Sequence, residues 1–374
     1  MNRLVLLGAC WVVAHAALAQ SNVKQATAKP STAKPAATKP AAAKPAPAQP
    51  PAELKIPYPD WLFPVSDDEL RAQRKAQFEL QRQGPKPPPK EAPKLDDVEQ
   101  LGIPESEQKY TLARINDPFN APDWHPNDHI PMPDIVAKGR KPNIMACAYC
   151  HTPTGQGRPE NSALAGLPEA YIKEQLLDFR AGKRAAIGPE SYKPSRGMQA
   201  VAAGLTDEEI DASAKYFAQQ KLKRRHYVIE SVNIPRADPS DWVYMEVGGN
   251  EDLGDRLVEV APDITRHQRR DDRMQYTAYV PPGSLARGKL LATTGDKGKT
   301  QVCSSCHLAK LQGTDKIPPI AGRSPTYLLR QLLAFKNGTR TGEAAAQMAP
   351  TVEKLELPDM IALAAYVGSL YPPQ

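Results

Sequence analysis

Two short stretches decide the fold: Cys147-Ala148-Tyr149-Cys150-His151 and Cys303-Ser304-Ser305-Cys306-His307. They stand 156 residues apart, and the match extends outward from them at that offset. Gly166 pairs with Gly322, Tyr171 with Tyr327, Gln175 with Gln331, Phe179 with Phe335, Gly182 with Gly338 and Arg184 with Arg340. The offset then drops to 150, pairing Met198 with Met348, Leu205 with Leu355 and Tyr216 with Tyr366, so one loop of the second copy is six residues shorter. Agreement over so long a span means that one domain has been duplicated, a stronger signal than either motif alone.

Each copy has a helical pattern. A short helix precedes the cysteine pair and a loop follows the histidine. A longer helix starts near Pro168 or Pro325 and carries Tyr, Gln and Phe at four-residue spacing on one face, then stops at Gly-x-Arg. A loop carries the methionine, and a last helix closes the copy. Thr206-Asp207-Glu208-Glu209 caps that helix in the first copy, and Leu357-Pro358-Asp359 opens it in the second. Between the copies, at 222–282, "HYVIESVNI" and "MQYTAYV" predict short strands. The run "RHQRRDDR" there reads as a solvated charged loop, with His226 and His267 exposed.

The chain is 374 residues long, which suggests about two domains. Residues 1–19 have the form of an export signal: Met1-Asn2-Arg3, an apolar run from Leu4 to Ala16, and a small-x-small site at Ala17-Leu18-Ala19. Cleavage after Ala19 is the expectation; an uncleaved anchor, or a lipoprotein site ending at Cys10, are the alternatives. Residues 20–55 repeat Ala-Lys-Pro and are expected to form a disordered, extended linker. Residues 56–134 read as an N-terminal extension. It has a charged helix opened by Ser66-Asp67-Asp68-Glu69, a proline linker, and an irregular wrap from 105 onward. The formal charge of +6 is accounted for by Arg3, Lys24, Lys29, Lys34, Lys39 and Lys44, all near the N-terminus. The rest is balanced, so the basic character is no argument for nucleic-acid binding.

Cys-x-x-Cys-His is the attachment signature of c-type haem: two thiols add to the two vinyl groups, and the adjacent histidine lies under the iron. Zinc would need four ligands per site, and no second cysteine pair accompanies either motif. Cys147, Cys150, Cys303 and Cys306 are therefore expected to hold two covalently bound haem c groups, with His151 and His307 as axial ligands. Met198 and Met348 recur at matching positions and are the expected opposite ligands. A methionine also serves as core filler, and His125 or His129 is a rival ligand at the first haem. Met360 reads as core. The carbonyls of Pro319 and of its aligned partner Ala163 are expected to orient the histidines. Tyr171, Tyr327, Arg184 and Arg340 read either as contacts to haem propionates or as helix packing. Two irons closed on both sides, with no other catalytic constellation, point to electron transfer and not to an enzyme.

The second copy, "CSSCHLAKLQGTDKIPPIAGRSPTYLLRQLLAFKNGTR" with Met348 and "LELPDMIALAAYVGSL", resembles the class I c-type cytochrome family in its two-domain, dihaem periplasmic form. So does the first, "CAYCHTPTGQGRPENSALAGLPEAYIKEQLLDFRAGKR" with Met198 and "LTDEEIDASAKYFA". The resemblance covers about half of the chain. It implies a mainly α fold with tandem class I cytochrome c domains at 135–221 and 283–374, His/Met haems, and a periplasmic carrier, free or tethered to a membrane through its N-terminus. Two-domain members join their domains by a short connection; here 222–282 intervenes, so relative haem placement does not carry over. The implied partners are a periplasmic dehydrogenase or quinol-oxidising complex as donor and an oxidase or another cytochrome as acceptor. A cytochrome subunit of a periplasmic dehydrogenase complex is the alternative, and a dihaem peroxidase-like enzyme a further one.

Overall fold

Thr111 acts as a helix cap: its Oγ1 accepts from Arg114 N (3.1 Å) and starts α1 (Leu112–Ile115). Ile115 packs with Ile103 and Trp124 in a small buried cluster, and Trp124 Nε1 donates to Arg269 O (2.6 Å), which fastens the extension to the segment between the copies. The computed structural model describes residues 54–65, 98–240 and 242–373, all within one compact unit. The export signal, most of the Ala-Lys-Pro linker and the expected helix at Ser66 lie outside the described residues.

The first copy is built from α2 (Asp134–Ala137), α3 (Cys147–His151), α4 (Glu169–Arg180), α5 (Lys193–Gly204) and α6 (Asp207–Ala218). Thr206 and Glu209 form a reciprocal capping box that fixes the start of α6. Tyr171, Ile172 and Leu176 of α4 then bury against Ile210, Ala214 and Phe217 of α6.

The intervening segment forms a five-stranded mixed sheet. Its strands are β1 (His226–Glu230), β2 (Asn233–Ser240), β3 (Val243–Asp252), β4 (Val258–Ala261) and β5 (Tyr276–Val280), in the order β1-β5-β4-β3-β2. β1 runs parallel to β5 with His226 opposite Tyr276, and β4 runs antiparallel to β5 with Val258 opposite Tyr279. β2 carries Pro235 and Pro239 and lies at an edge, where a missing N–H costs no ladder bond. All four residues of the central strand β4 are buried.

The second copy comprises α8 (Ser284–Thr294), α9 (Ser304–His307), α10 (Pro325–Lys336), α11 (Glu343–Ala346), α12 (Ala349–Val352) and α13 (Leu357–Ser369); α7 (Ile264–Gln268) precedes β5. Helix α13 packs against α8, α10, β1 and β5, which is why it is apolar nearly all round. At its crossing with α8 a Cβ on Gly288 would lie 2.0 Å from Ala362 O, so only glycine permits the approach.

Two expectations for the intervening segment are corrected. The run Arg266–Arg273 is not a solvated loop. Its first three residues lie in α7, and Asp271 and Asp272 are buried, where Arg266 Nε donates to Asp271 and the buried Thr154 hydroxyl donates to Asp272. His226 and His267 are buried, not exposed: His226 Nδ1 lies 2.5 Å from Glu259 Oε1 and His267 Nδ1 lies 3.0 Å from Tyr276 Oη.

Candidate functional site

Each Cys-x-x-Cys-His stretch forms a single helical turn that the next residue ends abruptly. Thr152 and Leu308, at matching positions, have φ of 64° and 63° with extended ψ, a region otherwise left to glycine. The chain then folds back on itself. Gly157 N donates to His151 O and Gly313 N to His307 O, each at 2.9 Å. A Cβ on Gly157 would sit 2.5 Å from Ser162 O, and one on Gly313 2.1 Å from Ile317 O.

That close pass positions both histidines. His151 Nδ1 lies 2.8 Å from Ser162 O, and His307 Nδ1 lies 2.8 Å from Pro318 O. A carbonyl only accepts, so Nδ1 carries the proton and Nε2 keeps a lone pair for a metal. Burial favours this neutral form, pushing His151 down to about 4 and lowering His307. The acceptors lie one residue before the expected Ala163 and Pro319, whose carbonyls accept instead from Arg323 Nη1 (2.7 Å) and Nε (2.6 Å).

Cys147, Cys150 and Cys303 are partly buried beside the histidines, whereas Cys306 is exposed. Burial raises Cys147 to about 12, Cys303 to about 11, and Cys150 as well. Before any haem is attached Cys147, Cys150 and Cys303 are neutral thiols.

Cys147, Cys150, His151 and Met198 converge on one cavity of about 460 Å³, within the range of about 300–1,000 Å³ usual for cofactor sites. Met198 does not sit in the expected loop but within α5. Met348 caps α12, half-buried between it and α11. Cys303 precedes α9, which carries the exposed Cys306 and the buried His307. Neither rival histidine lines the first cavity. Both ring nitrogens of His129 are engaged, by Ile130 O and Asp123 Oδ1, and His125 faces Asp271 and Asp272. Met360 is core.

Sequence reasoning missed that the second copy walls the first cavity. Tyr327, Arg330, Gln331 and Arg340 all line it. Arg184 donates to Gln175 (3.1 Å) of its own copy and to Tyr327 Oη (3.0 Å) and Gln331 (2.9 Å) of the other. Arg340 mirrors it, donating to Gln331 (3.0 Å), Tyr171 Oη (2.6 Å) and Gln175 (2.8 Å). Two backbone bonds repeat the symmetry, Ala185 N to Thr339 O and Thr341 N to Lys183 O. Burial alone would raise the Tyr327 phenol, but Arg184 and Arg340 bring it below its ordinary value. Also unforeseen is the buried pair Arg158–Glu160 (2.9 Å) in the cavity wall; the second copy has Thr314 and Lys316 at those positions, so the repeat gave no signal.

The Cytochrome c family model matches residues 136–221. The cytochrome subunit of sulfide dehydrogenase from Chlorobaculum tepidum is 33% identical over 105 residues, covering 24% of this chain and 91% of that protein. The chain belongs to the class I c-type cytochrome family. Over longer spans the cytochrome is 24% identical to cytochrome c4 of Pseudomonas aeruginosa, covering 60% of this chain and 84% of that one. It is 26% identical to the thiosulfate dehydrogenase electron acceptor of Stutzerimonas stutzeri, covering 62% and 82%. Its cofactor is covalently bound haem c and its function is electron transfer. The residues present suit that cofactor: paired thiols, a neutral imidazole with a free Nε2, and an apolar cavity. Among the described residues no helix is long and apolar enough to cross a membrane.

Proposed function

We propose that the protein is a dihaem periplasmic cytochrome that passes single electrons between redox partner proteins and catalyses no reaction of its own. One haem is held by Cys147 and Cys150, with His151 and Met198 as axial ligands; the other by Cys303 and Cys306, with His307 and Met348. The domains are 135–221 and 283–374, joined by 222–282. The observation that carries the reading is the repeated pinning of a neutral histidine through Nδ1, at 2.8 Å in each copy, which leaves Nε2 for iron.

Bound haem supplies an iron that takes up and returns one electron. The chain's residues do the rest. The cysteine sulfurs would hold the haems, two to each, the carbonyls of Ser162 and Pro318 hold the imidazole planes and raise their basicity, and the sulfurs of Met198 and Met348 would favour the reduced state and close the iron to substrate. The cross-copy arginines keep the two sites in a fixed relation. Spectra of Met198→Ala and Met348→Ala holoproteins test the assignment. Each is expected to lose about half of the weak far-red iron–sulfur absorption, and unchanged absorption in either would refute that ligand.

A second reading has a specific observation in its favour: a relative is named as the cytochrome subunit of a dehydrogenase. The donor would then be a fixed partner, with the extension 56–134 and the sheet segment as its docking surfaces. Co-purification with a dehydrogenase supports this reading, and an isolated monomer in periplasmic extracts contradicts it.

A further inference from the structure

The extension and the intervening segment meet at a buried cluster that the haem sites do not use. His125 stands just before a single 3-10 turn (Pro126–Asp128), and Asp271 and Asp272 follow α7. His125 Nε2 lies 3.7 Å from Asp271 Oδ1 and 3.6 Å from Asp272 Oδ1. All three side chains are at least nine-tenths buried, with 4% exposure or less. Neither His125 Nε2 nor Asp272 Oδ1 has a hydrogen-bond partner among the described residues.

An imidazolium–carboxylate pair does not account for this geometry. Charge-assisted N–H···O bonds close to about 2.7–2.9 Å, and here the nitrogen is too far from both oxygens at nearly equal distance. Leaving such atoms buried and unmatched is destabilising, and more so when they are charged. The three ligand atoms all lie within 4.8 Å of one another. Two ligand atoms about 2.1 Å from one ion and 3.6–3.7 Å apart subtend about 120°, an open angle of a trigonal or tetrahedral site.

The remaining carboxylate oxygens are held from behind, as metal-binding carboxylates are. Asp272 Oδ2 accepts from Thr154 Oγ1 (2.6 Å), and Asp271 Oδ2 accepts from Arg266 Nε (2.5 Å). Asp271 Oδ1 also accepts from Arg273 N (2.8 Å), which leaves it a further lone pair.

We propose that His125 Nε2, Asp271 Oδ1 and Asp272 Oδ1 form a binding site for a divalent first-row transition cation such as Zn2+. One imidazole with two carboxylates suits such an ion better than Ca2+ or Mg2+, which take oxygen ligands throughout. The ion would tie the extension to the loop whose Arg270 packs 3.6 Å over the Tyr149 ring and donates to Tyr149 O (3.0 Å), directly beside Cys150.

The test uses the full holoprotein, in which the four motif cysteines are thioethers and do not compete. It is stripped with EDTA, equilibrated with Zn2+ alone, and assayed for bound zinc separately from haem iron. One Zn2+ per chain is expected, with affinity weakened at least tenfold in Asp272→Asn and in His125→Gln. Absence of stoichiometric zinc in the wild type, or variants that bind as tightly as the wild type, overturns the proposal. Should the variants not accumulate, the wild type still decides: its thermal midpoint rises with Zn2+ over EDTA if the site exists and is unchanged if it does not.

Discussion

At Gly313 a single hydrogen atom makes room for the histidine's support. With φ at +69° and Ile317 O 2.1 Å from where a Cβ would stand, Gly313→Ala combines backbone strain with a backbone clash. The expected loss is about 1–3 kcal/mol, measured by denaturant unfolding of the holoprotein, and Gly157→Ala should behave alike. Equal stability in the variants would mean that the loop is not held as described. The two Cys-x-x-Cys-His motifs are legible in the sequence because thioether attachment of haem would fix their spacing, and the methionines only because they recur at matching positions of the repeat. The acceptor carbonyl was misplaced by one residue, since any residue offers a carbonyl and only the path of the chain selects among them. The metal cluster gave no sequence signal, because His125 and Asp271 are 146 positions apart and belong to neither copy.

At the scale of elements, Glu259 is the joint between the sheet and the second copy. It lies on β4, takes His226 Nδ1 on one oxygen, and on the other accepts from Ser324 Oγ (2.7 Å) and Thr326 N (3.3 Å), at the start of α10. Burial alone would raise its carboxyl, but His226, Thr326 and Ser324 hold it below its ordinary value. A carboxyl so lowered contributes fully above its unfolded-state value and loses that contribution as pH falls through the folded one. The thermal midpoint should therefore drop as pH falls below about 4.3. In Glu259→Gln this acid-dependent part should shrink, with a loss of about 3–5 kcal/mol at neutral pH from breaking a buried pair. An unchanged acid limb would remove Glu259 from this role. The strands here were legible from their β-branched and aromatic residues. Their burial was not: a charge run ordinarily marks solvent, and partners such as Thr154 for Asp272 or Ser324 for Glu259 lie far along the chain.

The whole molecule is held as a pair by the crossed contacts of Arg184 and Arg340. Matching Tyr, Gln and Arg positions were legible from the duplication, but a repeat does not say whether its members bond within a copy or across copies. Because Arg184 and Tyr327 touch directly, a double-mutant cycle with Arg184→Ala and Tyr327→Phe should give a coupling of about 0.5–3 kcal/mol, read by denaturant unfolding. Additive effects would mean that the two copies are not clasped there. The clasp matters to the proposed function because it would hold the two haem sites in a fixed relation. The most direct test counts haem and iron in the purified protein and follows a redox titration through the far-red iron–sulfur absorption. The account predicts two haems per chain, both low-spin and both contributing to that band; one haem per chain, or a five-coordinate high-spin iron in the resting protein, would contradict it.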